Sequence, residues 1–208
     1  MIRTTTVVLC VAIAIGSRAP QSTKRLSDAE VLAAIKVGEQ RQSRTLTSSC
    51  TARPGFGEAM LRSNDDVLGA YDVHTRSNFG QIAAMADEAK RQYKPFTIKD
   101  MPATLRAPHV LVFAYPSCSN GYGRFTSAIR SIVLRSNDKK NEFVTSNDTQ
   151  ELGAIEDRIG SAYSATFPYD KVGELPAGDL EVVLVTEAGE RRCKIGKKDR
   201  DKLFSFPK

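Results

Sequence analysis

The residues with the most reactive side chains are few, and their spacing limits the chemistry they could do. Histidine occurs only at His74 and His109. Neither has a second histidine or an acidic partner at helical or strand spacing, so no metal site and no cofactor is expected. His109 follows Pro108 at the start of an extended run, which points to a structural position. Cys118 stands in the loop-like stretch PSCSNGYG and could pair with His109 as thiol and imidazole. The extended run from His109 to Tyr115, at ~3.3 Å per residue, would carry the imidazole about 20 Å from that loop. Arg124 is the nearest cation in the chain, so Cys118 is expected to be an ordinary thiol. No Gly-x-Ser-x-Gly nucleophile elbow is present. Gly55-Phe56-Gly57 and Gly121-Tyr122-Gly123 lack the third glycine of a dinucleotide fingerprint. Asp65-Asp66 and Asn137-Asp138 miss the spacing of a calcium loop.

The richest candidate for a binding surface is basic. Arg191, Arg192, Lys194, Lys197 and Lys198 fall within eight residues, followed by Arg200 and Lys202. Glu190, Asp199 and Asp201 dilute this charge, and no aromatic side chain stands among the cations to stack a base. Nucleic acid is therefore not the expected partner. An anionic envelope polymer or an envelope protein fits better. The absence of tryptophan disfavours a dedicated carbohydrate module, although six tyrosines are available.

Export is the second expectation. Arg3, the apolar run Val7–Ile15 and the small residues Gly16, Ser17 and Ala19 form the three parts of a secretory signal, with the mature chain expected to start between residues 17 and 22. The apolar run is far below the ~20 residues a spanning helix requires. No later stretch reaches membrane length, so the mature chain is expected to have no transmembrane segment and to be periplasmic or extracellular. The whole chain carries 30 Lys and Arg against 24 Asp and Glu. Removing Arg3 and Arg18 leaves 28 against 24, a net charge of +4. Cys50, Cys118 and Cys193 would remain, allowing one internal disulfide or none.

The elements that would position these residues read as α+β. Residues 1–19 form the signal, 20–106 a helical and loop part, and 107–208 a mainly β part, the last two joined as one unit. Leu26-Ser27-Asp28-Ala29-Glu30-Val31 has a capping box and a hydrophobic staple, with Gly38 as a weak point or end of the helix. Gln40 to Pro54 reads as an irregular polar segment, and Val67 to His74 as a short strand. Phe79, Ile82, Ala86, Ala89 and Tyr93 form one helical stripe, with Asn78 as its cap and Gln81 at the capping-box position. His109–Tyr115 reads as a strand buried on both faces. Ile129–Leu134, Glu142–Thr145 and Tyr163–Phe167 read as further strands. Leu152, Ile155 and Ile159 suggest a small helix closed by Gly160. Leu180–Val185 and Arg191–Ile195 flank a short glycine turn as a β-hairpin. Together they predict an antiparallel sheet or β-sandwich in the C-terminal half, covered by N-terminal helices.

Three stretches also carry a resemblance: LSDAEVLAAI, the run from Asn78 through Ala86-Asp87-Glu88-Ala89-Lys90 to Phe96, and DLEVVLVTEAGERR. They resemble exported soil-bacterial proteins with no assigned activity. The resemblance implies export and no particular chemistry. Two functions follow as expectations. The first is a non-catalytic binding or assembly module of the bacterial cell envelope. The alternative is an exported hydrolase with scattered active-site residues.

Overall fold

The computed structural model describes residues 25–54, 70–117, 128–137, 142–146, 148–154, 160–187 and 189–204. The signal segment, Cys118 and its loop lie outside the described residues. The fold is α+β, dominated by a nine-stranded antiparallel sheet in the order β5-β4-β8-β9-β1-β2-β3-β7-β6. These strands are β1 Thr47–Pro54, β2 Tyr71–Ser77, β3 His109–Pro116, β4 Ile129–Ser136 and β5 Phe143–Thr145, then β6 Asp148–Ala154, β7 Ser161–Pro168, β8 Leu180–Thr186 and β9 Gly189–Ile195. The sheet curves as a half-barrel. Side chains from both ends of the strand order share one core, including Val73, Val112, Phe167, Leu134, Leu184 and Ile195.

β1 corrects the expected irregular segment. Its residues are polar because their outward positions are Thr47, Ser49 and Thr51, while Ser48, Cys50 and Ala52 turn inward. Small inward side chains let a sheet bend sharply, and here the strand pairs on both sides. Thr47 to Ala52 register with Arg76 to Tyr71 on β2, whereas Arg53 and Pro54 register with Arg192 and Arg191 on β9. Two strands, β1 and β2, therefore come from the part read as mainly helix and loop; β2 overlaps the short strand expected at Val67 to His74, whereas β1 is unexpected. The sheet is not confined to the C-terminal half.

Helix α1, Asp28–Glu39, starts with the expected capping box between Ser27 and Glu30, and Leu26 and Val31 are both buried. Helix α2, Asn78–Arg91, differs at its start. Ser77 is the N-cap, its hydroxyl accepting from the Gly80 N–H, while the buried Asn78 amide donates to the Leu105 carbonyl. Phe79, Ile82 and Ala86 are buried as the stripe requires, but Tyr93 is 95% exposed. The chain reverses first: Tyr93 sits at φ 56°, with Lys94 N–H on Ala89 O and Tyr93 N–H on Lys90 O. That is a Schellman closure with tyrosine at the position glycine usually takes. Arg41 closes α1 identically. Both helices pack with Leu111 and Phe113 of β3 in a second cluster, so β3 is covered on each face.

Two short α-helices follow in the second half of the chain, α3 Tyr169–Glu174 and α4 Lys197–Leu203, and three 3-10 turns lie at Ser43–Leu46, Ile98–Asp100 and Ala103–Arg106. Arg200 of α4 is buried, and its guanidinium donates to the carbonyls of Val172, Leu175, Pro176 and Gly178. Those oxygens belong to the end of α3 and the turn beyond it, where a helix leaves acceptors unpaired. The charge-assisted bonds tie α3, α4 and the start of β8 together. β8 and β9 form the expected hairpin from Leu180↔Ile195 to Thr186↔Gly189. The small helix expected at Leu152 is instead strand β6, with Leu152 more than half exposed on the sheet's last strand. Ile155 and Ile159 lie outside the described residues. A glycine kink explains the misread periodicity: Gly153 has φ 91°, and the β6–β7 register shifts between Glu151 and Gly153.

Gly38 lies in the last turn of α1, one residue before its end, but the need for glycine there has another cause. Gly38 is where α1 crosses α2. A Cβ there would lie 2.2 Å from the Ala83 carbonyl oxygen and 2.9 Å from the Asp87 nitrogen. Both obstacles are backbone, so they cannot swing aside. Gly38→Ala is expected to lower stability by about 2 kcal/mol or more through overpacking. Gly173→Ala, whose nearest neighbour would be 3.9 Å away, should stay within about 0.5 kcal/mol of the parent. Equal urea midpoints for the two variants would contradict the crossing.

Candidate functional site

The basic residues singled out in the sequence are not one surface. β9 alternates, so Arg191, Cys193 and Ile195 turn inward while Arg192 and Lys194 turn outward. Arg192 pairs with Glu190, and Lys194 pairs with Asp179 at 2.6 Å. The same Asp179 carboxylate accepts the Lys197 N–H at 2.7 Å. The Lys194 ammonium, then this backbone donor, hold the Asp179 carboxyl below its ordinary range. Lys197 and Lys198 are exposed on the first turn of α4. Alternation along a strand divides a run of cations between two faces.

Arg191 alone of the five faces the core, where its charge acts on Tyr71. Its residue is 6% exposed, Tyr71 3% and Tyr163 6%. The strand register brings all three to one end of the curved sheet. Tyr71 opens β2 opposite Ala52 and Pro116, Tyr163 lies near the start of β7 opposite Ala114, and Arg191 stands opposite Leu184 and Pro54. Burial, then the Tyr163 phenol, push the Tyr71 hydroxyl up to about 12 despite an opposing pull from the Arg191 guanidinium. Burial and the Glu151 carboxylate raise Tyr163, opposed by the Ile129 backbone. At pH 7 a phenol with pKa near 12 ionises in about one molecule in 10⁵. Tyr71 is thus held as the neutral phenol. A permanent cation and neutral hydroxyls suit recognition of an oxyanion. Sequence reading found Arg191 but missed Tyr71 and Tyr163. Each is the inward residue at the core-facing end of its strand, a signal visible only once the register is known.

The histidines lie elsewhere. His74 and Arg76 face outward on β2, opposite Phe113 and Leu111 of β3. The His74 ring meets the edge of Tyr115 with centroids 5.7 Å apart, and the Arg76 guanidinium lies 5.9 Å from the Phe113 centroid. Arg76 also donates to Thr47 Oγ1 at 3.0 Å and Gln81 Oε1 at 3.1 Å, tying β1 to α2. His109 opens β3 opposite Pro168. Among the described residues, no three His, Cys, Asp or Glu side chains are placed to hold one metal ion. Among them, too, no helix is long and apolar enough to cross a membrane. The remaining cysteine question has an answer: Cys50 and Cys193 form a disulfide, Cα to Cα 5.8 Å, linking β1 to β9.

No protein family, curated protein or solved structure matches the chain.

His109 yields a pH dependence with a definite sign. Burial holds its imidazole below the ordinary value, partly offset by a bond to the Ala107 backbone. The folded protein therefore binds this proton less readily than the unfolded chain, whose histidines titrate near 6.5. Stability from neutral His109 is complete above about pH 6.5 and falls as pH drops from there to the folded pKa. Chemical denaturation at pH 7.5 and 5.5 should show that loss, reduced in His109→Gln. An undiminished difference in His109→Gln would assign the proton elsewhere.

Proposed function

We propose that this protein is an exported, non-catalytic binding module of the bacterial cell envelope that takes anionic groups of an envelope polymer at the Arg191 end of its sheet. The observation that carries this reading is an arginine residue only 6% exposed at the same end of the sheet as two buried tyrosine residues. In a low-dielectric setting a cation interacts with an anion more strongly than at the surface. Arginine also presents a planar fork of donors suited to phosphate or carboxylate. Burial keeps both phenols protonated, so the set favours holding an oxyanion over transferring a proton or acyl group.

Export is supported by the leader-like N-terminus, by the resemblance to exported soil-bacterial proteins and by the Cys50–Cys193 disulfide. Disulfides persist mainly in oxidising compartments. Arg191 itself donates to the Glu190 carbonyl at 3.3 Å, and the outward cations Arg192 and Lys194, exposed and paired with carboxylates, are assigned no more than a peripheral part.

Calorimetric titration with medium-length polyphosphate, against neutral dextran as control, tests the reading. The protein is expected to bind polyphosphate and ignore dextran. Arg191→Gln should weaken binding roughly 30-fold or more, as loss of a buried charge contact does, while Arg192→Gln changes it less than threefold. Equal losses in the two variants would make the contact a diffuse surface one. Steady release of inorganic phosphate during the titration would instead favour the hydrolase.

A further inference from the structure

We propose that the Cys50–Cys193 disulfide regulates the Arg191 site by holding the inner end of β9 against β1. The proposal rests on the reading of Arg191 as the ligand-binding residue. Arg191 and Cys193 are two positions apart on one strand and face the same way. What fixes Cys193 therefore fixes Arg191.

The backbone seam at this point is short. Among the described residues, β1 registers with β9 at Arg53↔Arg192 and Pro54↔Arg191. On either side the pairing is longer, Thr47 to Ala52 along β2 and Leu180 to Thr186 along β9. Each seam strand thus has a fuller partner to remain with if the two separate. Apart from the disulfide, Ser48 adds a bond from its hydroxyl to the Asp199 carbonyl at the seam's far end. Residues of both half-sheets share the core, so reduction loosens the junction without removing what folds each half. The disulfide closes a loop of 143 residues, and long loops lose most when a link is cut.

The redox step is a thiol–disulfide exchange. Cys50 is only partly buried and gives a reductant access. A thiolate of a dithiol attacks one sulfur, forming a mixed disulfide and releasing the other cysteine. Its second thiol then closes a ring and releases the first. Two electrons and two protons end on Cys50 and Cys193, and the dithiol leaves as a cyclic disulfide. A periplasm or extracellular space keeps the site formed, whereas a reducing compartment dissolves it.

Polyphosphate titration and amide hydrogen exchange by mass spectrometry should be run on the full chain, oxidised and in dithiothreitol. Cys50→Ser/Cys193→Ser serves as a reagent-free counterpart. Reduction is expected to weaken polyphosphate binding at least about tenfold. It should also speed exchange in β1 and β9 while α2 stays protected. Tight binding in both redox states overturns the regulation. So does unchanged exchange at the seam, or loss of protection in α2 together with the seam, which would make the disulfide a global staple. If oxidised protein fails to bind polyphosphate, the anion-binding reading fails. The exchange data then judge the seam alone, with faster β1 and β9 exchange supporting a redox-sensitive junction and unchanged exchange overturning it.

Discussion

One strand has to serve two sheets. Among the described residues, β1 pairs with β2 from Thr47 to Ala52 and with β9 at Arg53 and Pro54. The curvature that wraps nine strands over one core depends on that change of partner. Inward residues at this point must be small, and Ser48, Cys50 and Ala52 are. A leucine or phenylalanine at any of them would fill the space the bend needs. The disulfide adds a covalent bond where β1 passes from β2 to β9. Ser48 and α4 close the same corner from the other side.

This constraint explains which parts of the fold were legible in the sequence. The β8–β9 hairpin and the doubly buried β3 declare themselves through local pattern, because alternation and apolar runs follow directly from burial. The α1 capping box is equally local. β1 is different. Its polarity comes from facing solvent on one side and a tight bend on the other, and neither is a property of the segment alone. Tyr93 misled for a related reason: its spacing suits the α2 stripe, but the helix closes at Arg91 and turns the ring outward. Gly38 likewise looked like punctuation. Its reason for being glycine is a neighbour more than forty residues away in the chain.

The candidate site was half legible. Charge density drew attention to Arg191 with four other cations, but strand alternation sends them to opposite faces and leaves Arg191 alone inside. Tyr71 and Tyr163 carry no motif, and only the pairing of β2, β3 and β7 brings them to the end where β9 begins. The two histidines that invite a catalytic reading sit on other parts of the sheet, one against Tyr115 and one at the mouth of β3. Electrostatics separates the two kinds of site. A buried cation with protonated phenols holds negative charge, whereas proton transfer needs a group that titrates near the working pH.

The seam is the centre of this account, and its covalent link can be read directly. Unreduced protein, alkylated to block free thiols and digested with a protease, should yield one linked peptide pair. That pair should contain Cys50 and Cys193 and separate on reduction, with Cys118 recovered in alkylated form. A linkage from Cys118 to either residue, or full alkylation of all three without reduction, would contradict the pairing on which the shared strand, the bend and the Arg191 site are built.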